Sequence, residues 1–124
     1  MITGWGLDLF KLDYLYCAAI EPRNGKTRGQ LMREAIDFLR ECCKDKIIIG
    51  CGVPLSPTWD KFESCRIGCD VGLTFKNRYY TSTINQEVGS TKLSINNSIY
   101  RRHLNERVFS NDSDVFFVTM VKEK

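Results

Sequence analysis

The first patterned segment, Leu9-Phe10-Lys11-Leu12-Asp13-Tyr14-Leu15-Tyr16, is rich in strand-favouring residues. Its polar positions, Lys11 and Asp13, share one parity, so the segment predicts a strand that carries both charges on a single face. Pro22 and Asn24-Gly25 then mark a loop. Thr27 and Gln30 have capping-box spacing ahead of a stripe of Leu31, Met32, Ala35, Ile36, Leu39, Cys42 and Cys43, which predicts a helix with one buried side. The short apolar run Ile47-Ile48-Ile49-Gly50-Cys51-Gly52 fits a strand buried on both faces of a parallel sheet.

Further along, Ser56-Pro57 predicts an N-cap and first-turn proline for a short helix to about Phe62. Cys65 to Asp70 follows as a third strand, and the polar stretch from Thr74 to Gly89 is expected to be a long loop at the functional end. A helix is expected from Ser90 to about Asn105, with Leu93, Asn97, Tyr100 and Leu104 on one side. Val115-Phe116-Phe117-Val118 is expected as a fourth buried strand. Strands alternating with helices give an α/β fold, and polar residues at strand ends favour a barrel over an open sheet. The expected fold is therefore a partial (β/α)8 TIM barrel of about four parallel strands with intervening helices. Four strands are too few to close one.

The chain has 124 residues, 43% of them hydrophobic and 27% charged, which suits one soluble globular unit. No apolar run is long enough for a membrane span and no secretion signal is visible, so the expected location is cytoplasmic. The net charge of +3 comes from scattered basic residues, which argues against nucleic-acid and membrane partners. Six cysteines, at 17, 42, 43, 51, 65 and 69, read as buried reduced thiols in this setting. A zinc module would want paired C-x2-C spacing or a Cys/His cluster, whereas only His103 is available, so no metal or cofactor is implied.

Asp13 and Asp70 are separate carboxylates, each with a cation nearby in sequence, Lys11 and Arg66. Two carboxyl groups roughly 5–5.5 Å apart, one ionised and one protonated, are what retaining cleavage of a glycosidic bond requires. In this order, Lys11-x-Asp13, Arg66-x-x-x-Asp70 and Asn111-Asp112-Ser113-Asp114 resemble the catalytic barrel of α-galactosidases of the melibiase type. Trp5-Gly6-Leu7-Asp8-Leu9-Phe10-Lys11-Leu12-Asp13 and Gly50-Cys51-Gly52-Val53-Pro54-Leu55 belong to the same resemblance, which is weakest from about Thr74 to Gly89. The family's last motif reads Asn-Asp-Pro-Asp; here Ser113 replaces the proline.

The resemblance implies that residues 1–124 form part of a glycoside hydrolase barrel, corresponding to strands four to seven of eight. It implies Asp13 as nucleophile and Asp70 as acid/base, with Lys11, Arg66, Cys51 and Trp5 at the substrate. The implied partner is an α-galactoside oligosaccharide. A half-barrel leaves sheet edges open, so the chain is expected to be inactive and prone to associate without the missing barrel half, or to form a homo-oligomer. A non-catalytic sugar-binding or assembly subunit is the alternative. Because Arg66 in contact with Asp70 would favour the ionised form, it is expected to point at the substrate or at Asp13 instead.

Other features have ordinary readings. Lys11 and Asp13 could be a structural ion pair, and Asp112 and Asp114 could cap a turn. Trp59 and Tyr79-Tyr80 could stack on a sugar or simply pack against the scaffold. His103, beside Arg101-Arg102, reads as a solvated helix face.

Overall fold

The computed structural model describes residues 2–71 and 90–114. Its centre is a four-stranded parallel sheet of β1 (Leu9–Leu12), β2 (Ile47–Gly50), β3 (Ser64–Arg66) and β4 (Ser110–Asp112), in the order β1-β2-β3-β4. Sequential parallel order without reversal is the arrangement of a (β/α)8 barrel wall, whereas doubly wound sheets reverse at a switch point. The expected α/β partial barrel of four parallel strands is thus the observed fold.

Helix α1 (Arg28–Cys43) joins β1 to β2. Thr27 and Gln30 form the full capping box: the Thr27 hydroxyl accepts from the Gln30 N–H, and the Gln30 side chain accepts from the Thr27 N–H at 2.8 Å. Leu31, Met32, Ile36 and Cys43 are its buried side, with Met32, Ile36 and Cys43 one and two turns apart as an amphipathic helix demands. They share a core with Ile48, Phe62, Cys65, Ile67 and Phe109, and Phe10 and Leu12 pack against it. At the far end of α1, Arg40 pairs with Glu63 at 2.8 Å and donates to the carbonyls of Lys46 and Lys61. The other Glu63 oxygen accepts the Ile48 N–H at 2.7 Å. One ion pair therefore ties the helix end to the lower rim of two strands.

The register divides the sheet into two faces. Phe10, Leu12, Ile48, Gly50 and Cys65 look toward the helices; Leu9, Lys11, Ile47, Ile49, Ser64, Arg66 and Asp112 share the other side. That second side is open at its Leu9 and Ile47 end, 47% and 45% exposed, and closes toward Arg66, which is buried. Strand β2 is accordingly buried on one face rather than on both as expected.

Other elements differ from expectation in extent. Strand β1 stops at Leu12 because Tyr14 takes a left-handed conformation (φ 54°) and starts a 3-10 turn over Leu15–Ala19. The Ser56 segment is a 3-10 turn, Ser56–Thr58, with Leu55 at the N-cap position. Strand β3 ends at Arg66, and Gly68 passes so close to Asn97 that a Cβ would lie 2.9 Å from its amide nitrogen. Helix α2 (Thr91–Tyr100), capped by the Ser90 hydroxyl, ends earlier than expected and a 3-10 turn continues over Arg102–Leu104. Its buried residue is Ser94, while Tyr100 is exposed. Strand β4 was not anticipated. The expected loop Thr74–Gly89 and strand Val115–Val118 lie outside the described residues. No helix among the described residues is long and apolar enough to cross a membrane.

Candidate active site

The strands of a parallel sheet all end at one rim, and the turns that leave them meet there. Asp13, Cys51, Arg66 and Asp70 lie on or just beyond the ends of β1, β2 and β3, and all four line one cleft of about 470 Å³. Tyr14, Tyr16, Leu93, Asn97 and Arg101 complete much of its wall. Lys11 and Trp5 are not among the lining residues. Lys11 is exposed on the open sheet face, where its charge acts on Cys51 and Asp112. Trp5, 67% exposed, belongs to a 3-10 turn ahead of β1, at the other end of that strand from Asp13.

The register aligns Asp13, Cys51, Arg66 and Asp112 as one rung, since Leu12 pairs with Gly50, Gly50 with Cys65, and Arg66 with Asp112. The exit from β1 is fixed by Asp13 itself, whose Oδ1 accepts the Tyr14 N–H at 2.7 Å. Gly52, at φ +55°, makes the matching turn after β2; a Cβ there would press to 3.2 Å from the Tyr14 nitrogen. The Cys51 N–H donates to the Leu12 carbonyl and the Tyr16 N–H to the Gly52 carbonyl, both at 2.8 Å. Two strand ends thus brace the turn that presents Asp13. Tyr14 and Tyr16 stand beside it with ring centroids 6.0 Å apart.

Cys51 is buried. Burial is the main cause that pushes its thiol above the ordinary value, and the hydrogen bond and charge of Asp13 add to it; Arg66 and Lys11 pull the other way without reversing the shift. The side chain is therefore a thiol that donates to a carboxylate, and it lacks the thiolate character of a nucleophile.

Arg66 is buried, and its guanidinium is shared among three carboxylates. Nη1 meets Asp70 Oδ1 at 3.1 Å, Nε meets Asp112 Oδ2 at 2.9 Å, and Nη2 meets Asp114 Oδ1 at 3.0 Å. The expectation that Arg66 avoids Asp70 is thus corrected: four residues apart at the end of a strand, the two side chains reach each other directly. Burial pulls the Arg66 pKa down, but the Asp112 hydrogen bond and the charges of Asp112, Cys51 and Asp114 outweigh it and hold it above the ordinary value. Burial likewise works to raise the Asp112 carboxyl, yet the Arg66 hydrogen bond, the Asp114 N–H and the charges of Arg66 and Lys11 hold it below the usual value.

Asp112 and Asp114 are more than turn caps. Asp112 Oδ1 accepts the Asp114 N–H at 2.8 Å, which closes the turn without the family's proline and places Asp114 at φ 70°. Asp114 Oδ2 accepts the Val71 N–H at 2.9 Å, one residue beyond Asp70. The clue in the sequence was the Asn-Asp-Ser-Asp string itself; its partner could not be read because it is 46 residues away from Asp112. Tyr14 and Tyr16 were also missed, being hidden inside what read as a longer strand. Trp59 does not line the cleft, and Tyr79-Tyr80 lie outside the described residues.

No known protein-family profile matches the sequence. The fold is similar to that of an α-galactosidase from Thermus thermophilus in complex with p-nitrophenyl α-D-galactopyranoside, with a TM-score of 0.79 and 25% identity over 94% of this chain. The same enzyme in complex with stachyose aligns with a TM-score of 0.78 and 25% identity over 93% of this chain. The chain spans about a quarter of the length of those structures, 24% and 25% respectively. The described residues therefore form a glycoside-hydrolase-like fold, equivalent to part of an α-galactosidase barrel.

Proposed function

We propose that this chain is part of a retaining glycoside hydrolase that acts on terminal α-linked galactose. The observation that carries the reading is the convergence of Asp13 and Asp70, from different strand ends, on one cleft. Similarity to an enzyme captured with an aryl galactoside and with stachyose supports galactosides as the substrate class.

In the proposed reaction the Asp13 carboxylate attacks the anomeric carbon while Asp70 gives its proton to the departing glycosidic oxygen. Water then attacks the glycosyl-enzyme ester, Asp70 takes the water's proton, and Asp13 leaves as a carboxylate. Arg66 would meet sugar hydroxyls and Cys51 would line the pocket, Tyr14 and Tyr16 offer aromatic surface to the apolar face of the ring, and Lys11, outside the described cleft, would meet a hydroxyl only of a sugar that extends over the open sheet face. Trp5 could join them only through a surface that the described cleft does not include.

The test supplies the remaining barrel strands as a second polypeptide and follows release of nitrophenol from an aryl α-galactoside. Hydrolysis with net retention, reduced at least about a thousandfold by Asp13→Asn, is expected. Net inversion, or activity indifferent to Asp13, would sink the assignment. The alternative is a sugar-binding or assembly subunit, which predicts galactose binding without turnover in the completed barrel. The exposed inner sheet face, with Leu9 and Ile47, favours some form of assembly in either case.

A further inference from the structure

The contact between Arg66 and Asp70 poses a chemical problem. A guanidinium 3.1 Å from a carboxylate favours the ionised form, yet an acid catalyst must begin its cycle protonated. The remaining contacts of Arg66 answer it. Asp112 and Asp114 take Nε and Nη2, at 2.9 and 3.0 Å, so two carboxylates already oppose one guanidinium before Asp70 is counted. The group carries one negative charge in excess. The Arg66 side chain is only 5% exposed and those of Asp114 and Asp112 18% and 27%, so water screens their mutual charges poorly; the Asp70 side chain is 91% exposed.

We infer that Asp112 and Asp114 are positioning residues for Asp70: they supply counter-charge to Arg66 and anchor the chain at Val71, so that Arg66 orients Asp70 in the cleft without depending on it as its counter-ion. The inference rests on Asp70 being the acid/base of the proposed reaction. Each half of the device has its own contact. Asp112 holds Arg66 and closes the turn to Asp114, and Asp114 bridges Arg66 to the Val71 N–H through its two oxygens. Among the described residues, the other charged or titratable groups that line the cleft with Asp70 are Asp13, Tyr14 and Tyr16 after β1, Cys51 after β2, Cys69 beside it in sequence, and Arg101 after α2. Arg101 is engaged with the Ile67 carbonyl, and the charge of Lys11 acts at Cys51 and Asp112. None of them replaces Asp112 and Asp114 as the counter-charge in contact with Arg66.

The test follows the Asp70 carboxyl carbon by NMR during an acid titration of the full chain, its signal identified by its loss in Asp70→Asn. Asparagine keeps the shape and an accepting oxygen of aspartate but not the charge. In Asp112→Asn/Asp114→Asn the signal is expected to move to lower pH than in the parent, because among the described residues Asp70 is then the carboxylate left on Arg66. Asp114→Asn alone should move it the same way by less, and it decides the matter if the double variant fails to fold. An unmoved or upward-shifted titration with the parent's amide spectrum retained would overturn the inference, leaving Asp112 and Asp114 as plain structural ties. The titration needs no substrate, so it stands or falls separately from the assay for hydrolysis.

Discussion

At the scale of single residues, environment decides which side chains can react. Cys17 is exposed, whereas Cys43, Cys51 and Cys65 are buried and free. Desolvation raises all three buried thiols, with Thr58 partly countering it at Cys65 and Arg40 at Cys43. Alkylation at pH 8 is therefore expected to label Cys17 first and Cys51 only slowly, and rapid loss of Cys51 in peptide mapping would contradict the thiol-donor role. Raised thiols are protonated in the folded state, so their contribution to stability is present below the unfolded value of about 9 and is lost as pH rises through the higher folded values. Asp112 has the opposite sign. Its depressed carboxyl stabilises the fold above the unfolded value of about 3.8, and that contribution is lost as pH falls through the lower folded value. Asp112→Asn should thus be less stable than the parent at neutral pH, with the gap in urea midpoints closing below about pH 4. A gap independent of pH would mean that its charge does not matter.

At the scale of elements, α1 was legible because three independent signals agree on it: the Thr27/Gln30 box, the apolar stripe and the loop before it. Thr27→Ala is expected to cost about 1 kcal/mol. Ile36→Ala, at a fully buried position, should cost about 2–5 kcal/mol, and the difference between the two separates capping from core packing in chemical denaturation. Strand β4 was illegible for the opposite reason. Ser110-Asn111-Asp112 has no apolar pattern, since hydrogen bonds and charge hold it in place of burial. Ser64 donates to the Ser110 carbonyl, Asn111 donates to the Arg101 carbonyl, and Asp112 takes Arg66. The premature end of β1 was hidden as well, because Tyr14-Leu15-Tyr16 has strand-like composition while the backbone turns at Asp13. Parity did place Lys11 and the Asp13 rung on the correct face. It could not show that Arg66 reaches Asp70, a contact set by where β3 stops and by carboxylates that arrive from β4.

At the scale of the whole molecule, the sheet has one face finished and one open. The helix side buries Ile48, Cys65 and Ile67 almost completely, but the other side offers Leu9, Ile47 and Ile49 between polar neighbours. Among the described residues β1 and β4 each pair on one side only, so the apolar strip on β1 and β2 borders a strand edge at β1. Both features favour contact with further strands, whether from another polypeptide or from a second copy. Concentration-dependent association is therefore expected in sedimentation velocity. Because Leu9 and Ile47 contribute little to the described core, Leu9→Glu/Ile47→Lys should reduce association while leaving the far-ultraviolet circular dichroism and the urea midpoint nearly unchanged. The same variant should impair reconstitution with the remaining barrel strands, since a closed barrel would have to bury both charges in its interior. Association that survives the double substitution would place the sticky surface elsewhere. A collapse of the fold would show that these residues are buried in solution, with the inner face already covered.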